Sequence, residues 1–341
     1  MFLPVQQTLK LLKQSALVLA LSLSASWLTS AYAQEIIQSP YVAHSLRATH
    51  SLLLDITHAG QRIVAVGERG HVLYSDDEGK TWQQAKVPTQ QLLTAVYFVD
   101  AQQGWAVGHD ALILHTTDGG LTWAQQYQDL ELEAPLLDIW FADQHTGFAV
   151  GAYGTLLHTQ DGGQHWESIN EALDNESGYH LNAITAVKDA GIFIVGEMGS
   201  MFRSTDLGAS WETLTSPYEG SLFGVQATAQ ENTLLVYGLR GHVFRSADFG
   251  DSWQRIELRG ANGPLEFGLA DSSLLADGTV FIVGHGGSVL RSTDAGQSFS
   301  IYNRTDRLSL AGVTDTQGGN LILIGQHGIH LSSPTGAALQ E

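Results

Sequence analysis

An eight-residue box constrains this chain more than anything else in it, because it returns at nearly even spacing along most of the length. Ser75-Asp-Asp-Glu-Gly-Lys-Thr-Trp82 recurs as Thr116-Thr-Asp-Gly-Gly-Leu-Thr-Trp123 and Thr159-Gln-Asp-Gly-Gly-Gln-His-Trp166. It recurs again as Ser204-Thr-Asp-Leu-Gly-Ala-Ser-Trp211, Ser246-Ala-Asp-Phe-Gly-Asp-Ser-Trp253 and Ser292-Thr-Asp-Ala-Gly-Gln-Ser-Phe299. The aspartates Asp77, Asp118, Asp161, Asp206, Asp248 and Asp294 are separated by 41, 43, 45, 42 and 46 residues. A second signature precedes each box: β-branched or aromatic residues, a Gly-x-x-Gly turn, then another short strand. Val64-Ala-Val-Gly67-Glu-Arg-Gly70 and Phe193-Ile-Val-Gly196-Glu-Met-Gly199 show it, as do Val236-Tyr-Gly238-Leu-Arg-Gly241 and Ile282-Val-Gly284-His-Gly-Gly287. The second copy has Ala111 in place of its second glycine, and a seventh, Leu323-Ile-Gly325-Gln-His-Gly328, has no box after it.

A period of this length with four short apolar runs marks a β-propeller blade, since one such unit cannot bury both its faces alone and must stack on neighbours. In the first unit the spacing predicts strands at 52–57, 62–67, 71–75 and 81–87. The chain therefore reads as all-β: a seven-bladed β-propeller over residues 34–333 with a C-terminal tail at 334–341. The seventh unit supplies strands at 310–315, 321–325 and 329–332 but no outer strand. Residues 35–42 have no place in the first unit, and they are expected to complete the last blade, closing the ring over an open strand edge.

The box suits a tight turn between the third and fourth strands of a blade. Its carboxylate can accept bonds from N–H groups of its own turn, the glycine supplies a left-handed position, and the Ser or Thr hydroxyls cap what remains. The Trp is a large apolar body for packing between blades, with an indole N–H expected to reach a polar partner. Phe299 keeps the packing and loses the donor, and His165 stands where Ser or Thr is usual. All six aspartates are read as structural and not as a calcium or catalytic set, because the symmetry spreads them around a ring.

Charge narrows the function classes. With 16 Lys+Arg against 35 Asp+Glu, a net −19, the chain lacks the basic surface that nucleic acid or anionic lipid requires. It has no cysteine, which excludes disulfides, thiolate metal sites and cysteine nucleophiles. No cofactor is implied. At the N-terminus, Lys10 and Lys13 precede an apolar run from Ser15 to Leu28, followed by Ala31-Tyr32-Ala33. This is the three-part pattern of a secretory signal peptide over residues 1–33, with an apolar run shorter than the roughly 20 residues that span a bilayer. Cleavage near Ala33 removes both lysines and leaves 14 basic against 35 acidic residues, a mature charge of −21.

On a propeller the turns between strands two and three open on the face opposite the Asp boxes. They present Glu68, Arg69, His109, Asp110, Tyr153, Glu197, Met198, Leu239, Arg240, His285, Gln326 and His327. These side chains vary while the framing glycines recur, as a scaffold carrying a binding surface requires. The loops between blades add Asp129, Glu131 and Glu133, then Glu171, Asp174 and Glu176. Arg255, Arg259, Arg304 and Arg307 stand on the other side, and such opposed charge would orient a partner more than tighten it. Asp55 and Asp138 occupy matching positions on innermost strands and could face the channel, which is too little to define a catalytic pair. His327 and His330 make a poor chelate, because i and i+3 on a strand point to opposite faces. No metal site is expected.

The stretch Val195-Gly-Glu-Met-Gly-Ser-Met-Phe-Arg-Ser-Thr-Asp-Leu-Gly-Ala-Ser-Trp211 resembles the repeat pattern of the photosystem II stability/assembly factor family, nearly whole. The boxes themselves resemble the bacterial-neuraminidase repeat of sialidases, sortilin-type receptors and some glucanases. The resemblance covers residues 35–333. It implies an exported, non-catalytic seven-bladed propeller that binds a membrane-protein partner during assembly, acting as a monomer and without nucleic acid. Its compartment would be the periplasm or the exterior, or the thylakoid lumen in a photosynthetic host. The arginine-rich patch of photosynthetic members would correspond here to Arg203, Arg245 and Arg291, while Tyr74, His115 and His158 fill those positions in the first three blades. Relatives in non-photosynthetic bacteria imply an alternative, an accessory protein of an RND-type exporter. The enzymatic alternative is a sialidase-like glycoside hydrolase, which needs three arginines converging on a carboxylate, a tyrosine activated by a glutamate, and an acid/base aspartate. Residues 62–64 are Arg-Ile-Val where sialidases carry Arg-Ile-Pro, and Arg203, Arg245 and Arg291 recur side by side instead of converging.

Overall fold

The second strand of each blade is apolar on both of its sides, and its surroundings explain why. The computed structural model describes residues 41–260 and 263–339. In Arg62–Gly67, Ile63 and Ala65 pack toward blade seven while Val64 and Val66 pack toward blade two. Successive side chains on a strand point to opposite faces, so a strand sandwiched between blades needs an unbroken apolar run. Gly104–Gly108, Gly147–Gly151, Leu234–Gly238, Val280–Gly284 and Leu321–Gly325 are buried at every position.

The chain is all-β, a seven-bladed propeller built from antiparallel sheets, with only single 3-10 turns besides among the described residues. Blade one runs outward from the channel as Leu53–Ala59, Arg62–Gly67, Val72–Ser75 and Gln83–Gln84. The next five blades repeat this four-stranded order. Instead of one centre, the core is seven apolar layers, one at each junction between blades. Aromatic stacking reinforces the junction of blades two and three, where the Trp105 and Phe141 rings lie 3.5 Å apart at 10°. All seven innermost strands carry a register shift near their start, between Leu53 and Asp55 in blade one and at the matching place in the others. Such a bulge re-aims side chains, and here it turns two consecutive residues toward the channel.

The paired glycines answer two different needs. A side chain on Gly67 would run into the carbonyl oxygen of Leu52, where strand two closes on the start of the inner strand. Gly70 has φ +68 and lies against the carbonyl of Thr89, in the loop leading to blade two, so both its conformation and its space exclude a Cβ.

The Asp boxes close as their chemistry demands. Asp77 accepts the Thr81 N–H at 2.8 Å, the Thr81 hydroxyl at 2.6 Å and the Ser75 hydroxyl at 2.9 Å, while the Ser75 oxygen takes the Gly79 N–H. His165 takes the Thr role in blade three, with Nδ1 2.6 Å from Asp161. The tryptophans depart from expectation. Trp82 and Trp123 donate to the carbonyls of Gly79 and Gly120, but the indole N–H of Trp166, Trp211 and Trp253 is buried without a hydrogen-bond partner. Packing on the neighbouring blade positions these rings: Trp211 meets Phe148 edge-on, and Trp253 meets Phe193.

Residues 35–40 lie outside the described residues, and the described part of the expected strand lies along blade one, where the Val42 N–H donates to the Val87 carbonyl at 2.8 Å. Gln84 then bonds Ala43 and Ser45. Blade seven has three strands among the described residues, Leu310–Asp315, Leu321–Gly325 and Gly328–Ser332. It lacks an Asp box to reverse the chain, and the turn at 333–336 does so instead, bringing Ala338 into a bridge with Ser332. Blades seven and one are joined by packing of Ile322 and Ile324 on Leu53, Ile56 and Ile63. His58 Nε2 lies 3.2 Å from Asp315, and Glu78 accepts the Gly318 N–H.

Candidate functional site

The same backbone bond recurs at all seven Gly-x-x-Gly turns, from the residue after the first glycine to the carbonyl preceding the inner strand. Examples are Glu68 N–H to Leu52, His109 to Leu92 and Glu197 to His180. This bond sets all seven turns on the face where the loops between blades also lie. The residue before the second glycine is left-handed in every blade: Arg69 (φ 58), Asp110 (60), Tyr153 (57), Met198 (52), Arg240 (55), Gly286 (66) and His327 (66). A left-handed backbone costs a non-glycine residue about 1–2 kcal/mol, yet six blades hold one there. Arg69, Tyr153, Met198, Arg240 and His327 are exposed, and Asp110 is half-buried under a bond from Gln91. Of the other expected residues, His109 and His285 are exposed, and Glu68 and Glu197 are half-buried. His285 Nδ1 lies 3.1 Å from the Ser309 hydroxyl, and Glu197 lies 3.7 Å from His180 Nδ1. These ten, with the exposed Leu239 and Gln326, thus share one face around the channel mouth.

The arginines expected as a patch lie elsewhere and do other work. Arg203 donates to the carbonyl of Phe249 and to Asp251 in the Asp box of blade five, and to Glu212 of its own blade. Arg245 donates to the carbonyl of Ala295 in the box of blade six. Each braces the next blade's turn, so neither offers a free guanidinium. Blade seven has no box to brace, and Arg291 is exposed.

The channel holds a feature that sequence reading half missed. A cavity of about 240 Å3 is lined by Asp55, Asp138 and Asp271, with Tyr237 beside them. Asp55 accepts the N–H of Ile56 at 2.7 Å and, across the junction, that of Val96 at 2.7 Å; Asp138 does the same with Ile139 and Ile184 at 2.8 Å each. Asp271 accepts the Val313 N–H at 3.1 Å. Burial raises the Asp55 carboxyl to about 6 against these two bonds. Burial raises Asp138 to about 7, with the charge of Asp55 adding to it, and pushes Asp271 well above the usual range. Other junctions use neutral groups: Thr94 donates to Leu136, Asn182 to Leu222, and Tyr237 to Ser272. The carboxylates are therefore stitches between blades, and the oxygens of Asp55 and Asp138 are already occupied. Asp271 could have been found by aligning Leu269-Ala-Asp271 with Leu53-Leu-Asp55.

Repeated Asp boxes on a seven-bladed ring, with a decorated turn face, define the class as an Asp-box β-propeller. The chain belongs to the family described as photosynthesis system II assembly factor YCF48, whose pattern matches residues 80–134 and 124–265, more than half of its length. The BNR/Asp-box repeat matches at 73–84. Over 61 residues the chain is 43% identical to the photosystem II assembly protein Ycf48 of Synechococcus sp. (strain JA-2-3B'a(2-13)), covering 17% of this chain and 18% of that protein. The match thus spans under a fifth of that relative's length. A solved structure of YCF48 bound to D1 peptide superposes with a TM-score of 0.66 at 21% identity, over 87% of this chain and 96% of that one. Streptogramin B lyase superposes with a TM-score of 0.68 at 13% identity, over 85% and 96%. At these identities the superpositions show the fold alone, and the fold serves enzymes as well.

Proposed function

We propose that this chain is a non-enzymatic binding scaffold that holds a segment of a membrane-protein partner on its Gly-x-x-Gly face during assembly of that partner's complex. One observation carries the reading: a rigid ring keeps non-glycine side chains at six left-handed turn tips, five of them exposed. Strained positions of this kind persist where the surrounding structure over-determines them and function uses them. Family membership supports an assembly role, and the relative solved with D1 peptide supports a polypeptide ligand. In this reading residues 1–33, which lie outside the described residues, direct export to the periplasm or exterior and are cleaved near Ala33.

The test is affinity capture from detergent-solubilised membranes of the native host with the tagged full chain. A defined membrane protein is expected, and its recovery should drop when Arg69, Tyr153, Met198, Arg240 and His327 are all replaced by glycine. Recovery of no membrane protein, or equal recovery with the glycine variant, overturns the reading. Turnover of a fluorogenic sialoside or glucan would overturn the non-enzymatic part.

A further inference from the structure

The turn face is apolar in an arc where nothing in the fold requires it. Tyr153 is 64% exposed and Met198 59% exposed, each at the left-handed tip of its turn. Neither burial nor backbone preference explains these side chains. Blade six shows that the tip accepts glycine, and there Phe267 from the preceding loop lies over it: a Cβ on Gly286 would meet the Phe267 ring at 2.9 Å. Phe267 is itself 47% exposed. An apolar surface is thus present at blade six through a different residue.

The arc is organised at blades three and four. Tyr153 meets His180 edge-on at 5.2 Å, and His180 faces Glu197, the neighbour of Met198. The loop bearing Tyr179 is held by Asn175, which donates to the Tyr179 carbonyl at 2.9 Å and accepts its N–H at 3.0 Å. Tyr179 is exposed as well. Charge identifies what would cover this surface. The loops of this face carry Asp129, Glu131, Glu133, Glu171, Asp174 and Glu176, and residues 128–180 contain no Lys or Arg. Glu171, Asp174 and Glu176, on the loop beside Tyr153, are exposed, and none is in an ion pair among the described residues.

We infer that the Tyr153–Tyr179–Met198 surface docks a polypeptide segment that combines apolar or aromatic side chains with lysine or arginine. An exposed apolar patch of this kind marks an interaction site, and acids around it select cations while repelling acidic segments. The inference rests on the proposed reading that this face binds polypeptide, and it names the chemistry of the ligand at one sector.

The experiment titrates the full chain with a short synthetic lysine/tryptophan peptide and with its glutamate/tryptophan counterpart, by calorimetry at low and physiological salt. The lysine peptide should bind, more weakly at higher salt, and the glutamate peptide should not. Tyr153→Gly combined with Met198→Gly should weaken binding by roughly tenfold or more, with an unfolding midpoint unchanged or raised, because glycine suits both tips. Arg291→Ala, beside the Asp-box turn and away from the Gly-x-x-Gly face, should leave binding unchanged. Equal affinity for the two peptides, or full binding by the double glycine variant, overturns the inference; so does loss of binding in Arg291→Ala alone. Lysine-peptide binding without capture of any membrane protein sinks only the assembly reading, and the converse sinks only this one.

Discussion

Two aspartate environments in this molecule respond to pH in opposite directions. Asp77 and Asp161, held by hydroxyl, imidazole and backbone donors, have their carboxyls lowered to about 2. Their contribution to stability is present above the ordinary carboxylate range and is lost as pH falls toward about 2. Asp138 is the reverse: raised to about 7 by burial, it favours the protonated form in the fold. Its contribution is full below the ordinary range near 4 and is lost as pH rises through about 7. The unfolding midpoint should therefore decline between about pH 4 and pH 7, and Asp138→Asn should lessen that decline; an unchanged slope would refute the assignment. The boxes were legible in sequence because every donor lies within four residues of its acceptor. The channel carboxylates were only half legible, because their partners at Val96, Ile184 and Val313 lie 41 to 46 residues away, on the next blade.

Blades were legible as elements because their signals are local and repeat: apolar runs, turn glycines and a box at each third connection. Contacts between blades were not, and the arginines show why. Arg203 and Arg245 hold equivalent places in the repeat, which sequence alone leaves open to a shared surface role. The structure gives each a carbonyl of the next blade's box instead. Arg203→Ala should accordingly destabilise the fold by about 1–2 kcal/mol in chemical denaturation, whereas Arg291→Ala, with no box to brace, should change it little. Equal effects would contradict the bracing role. The same limit applied to the binding face. The ring of turn residues was readable from the framing glycines, but the left-handed tips and the cover that Phe267 gives Gly286 were not, because no residue type at those positions announces its conformation.

At the scale of the whole molecule, the junction between the last blade and the first is packed like the others, although the last blade has no Asp box. Gly328 lies against the carbonyl of Thr49 just as Gly70 lies against that of Thr89, so residues 45–50 occupy the place that a linking loop fills elsewhere. Among the described residues, His58, Asp315, Glu78 and the apolar layer hold this junction in place of a peptide connection. The molecule thus packs as a cyclic object that is cut once. Joining residue 339 to residue 41 by a flexible linker, and reopening the chain in the loop between blades three and four, should give a permuted protein with the same fold and a comparable unfolding midpoint. Failure of that permutant to fold would mean that the order of synthesis, and not the ring alone, determines how the seven blades assemble.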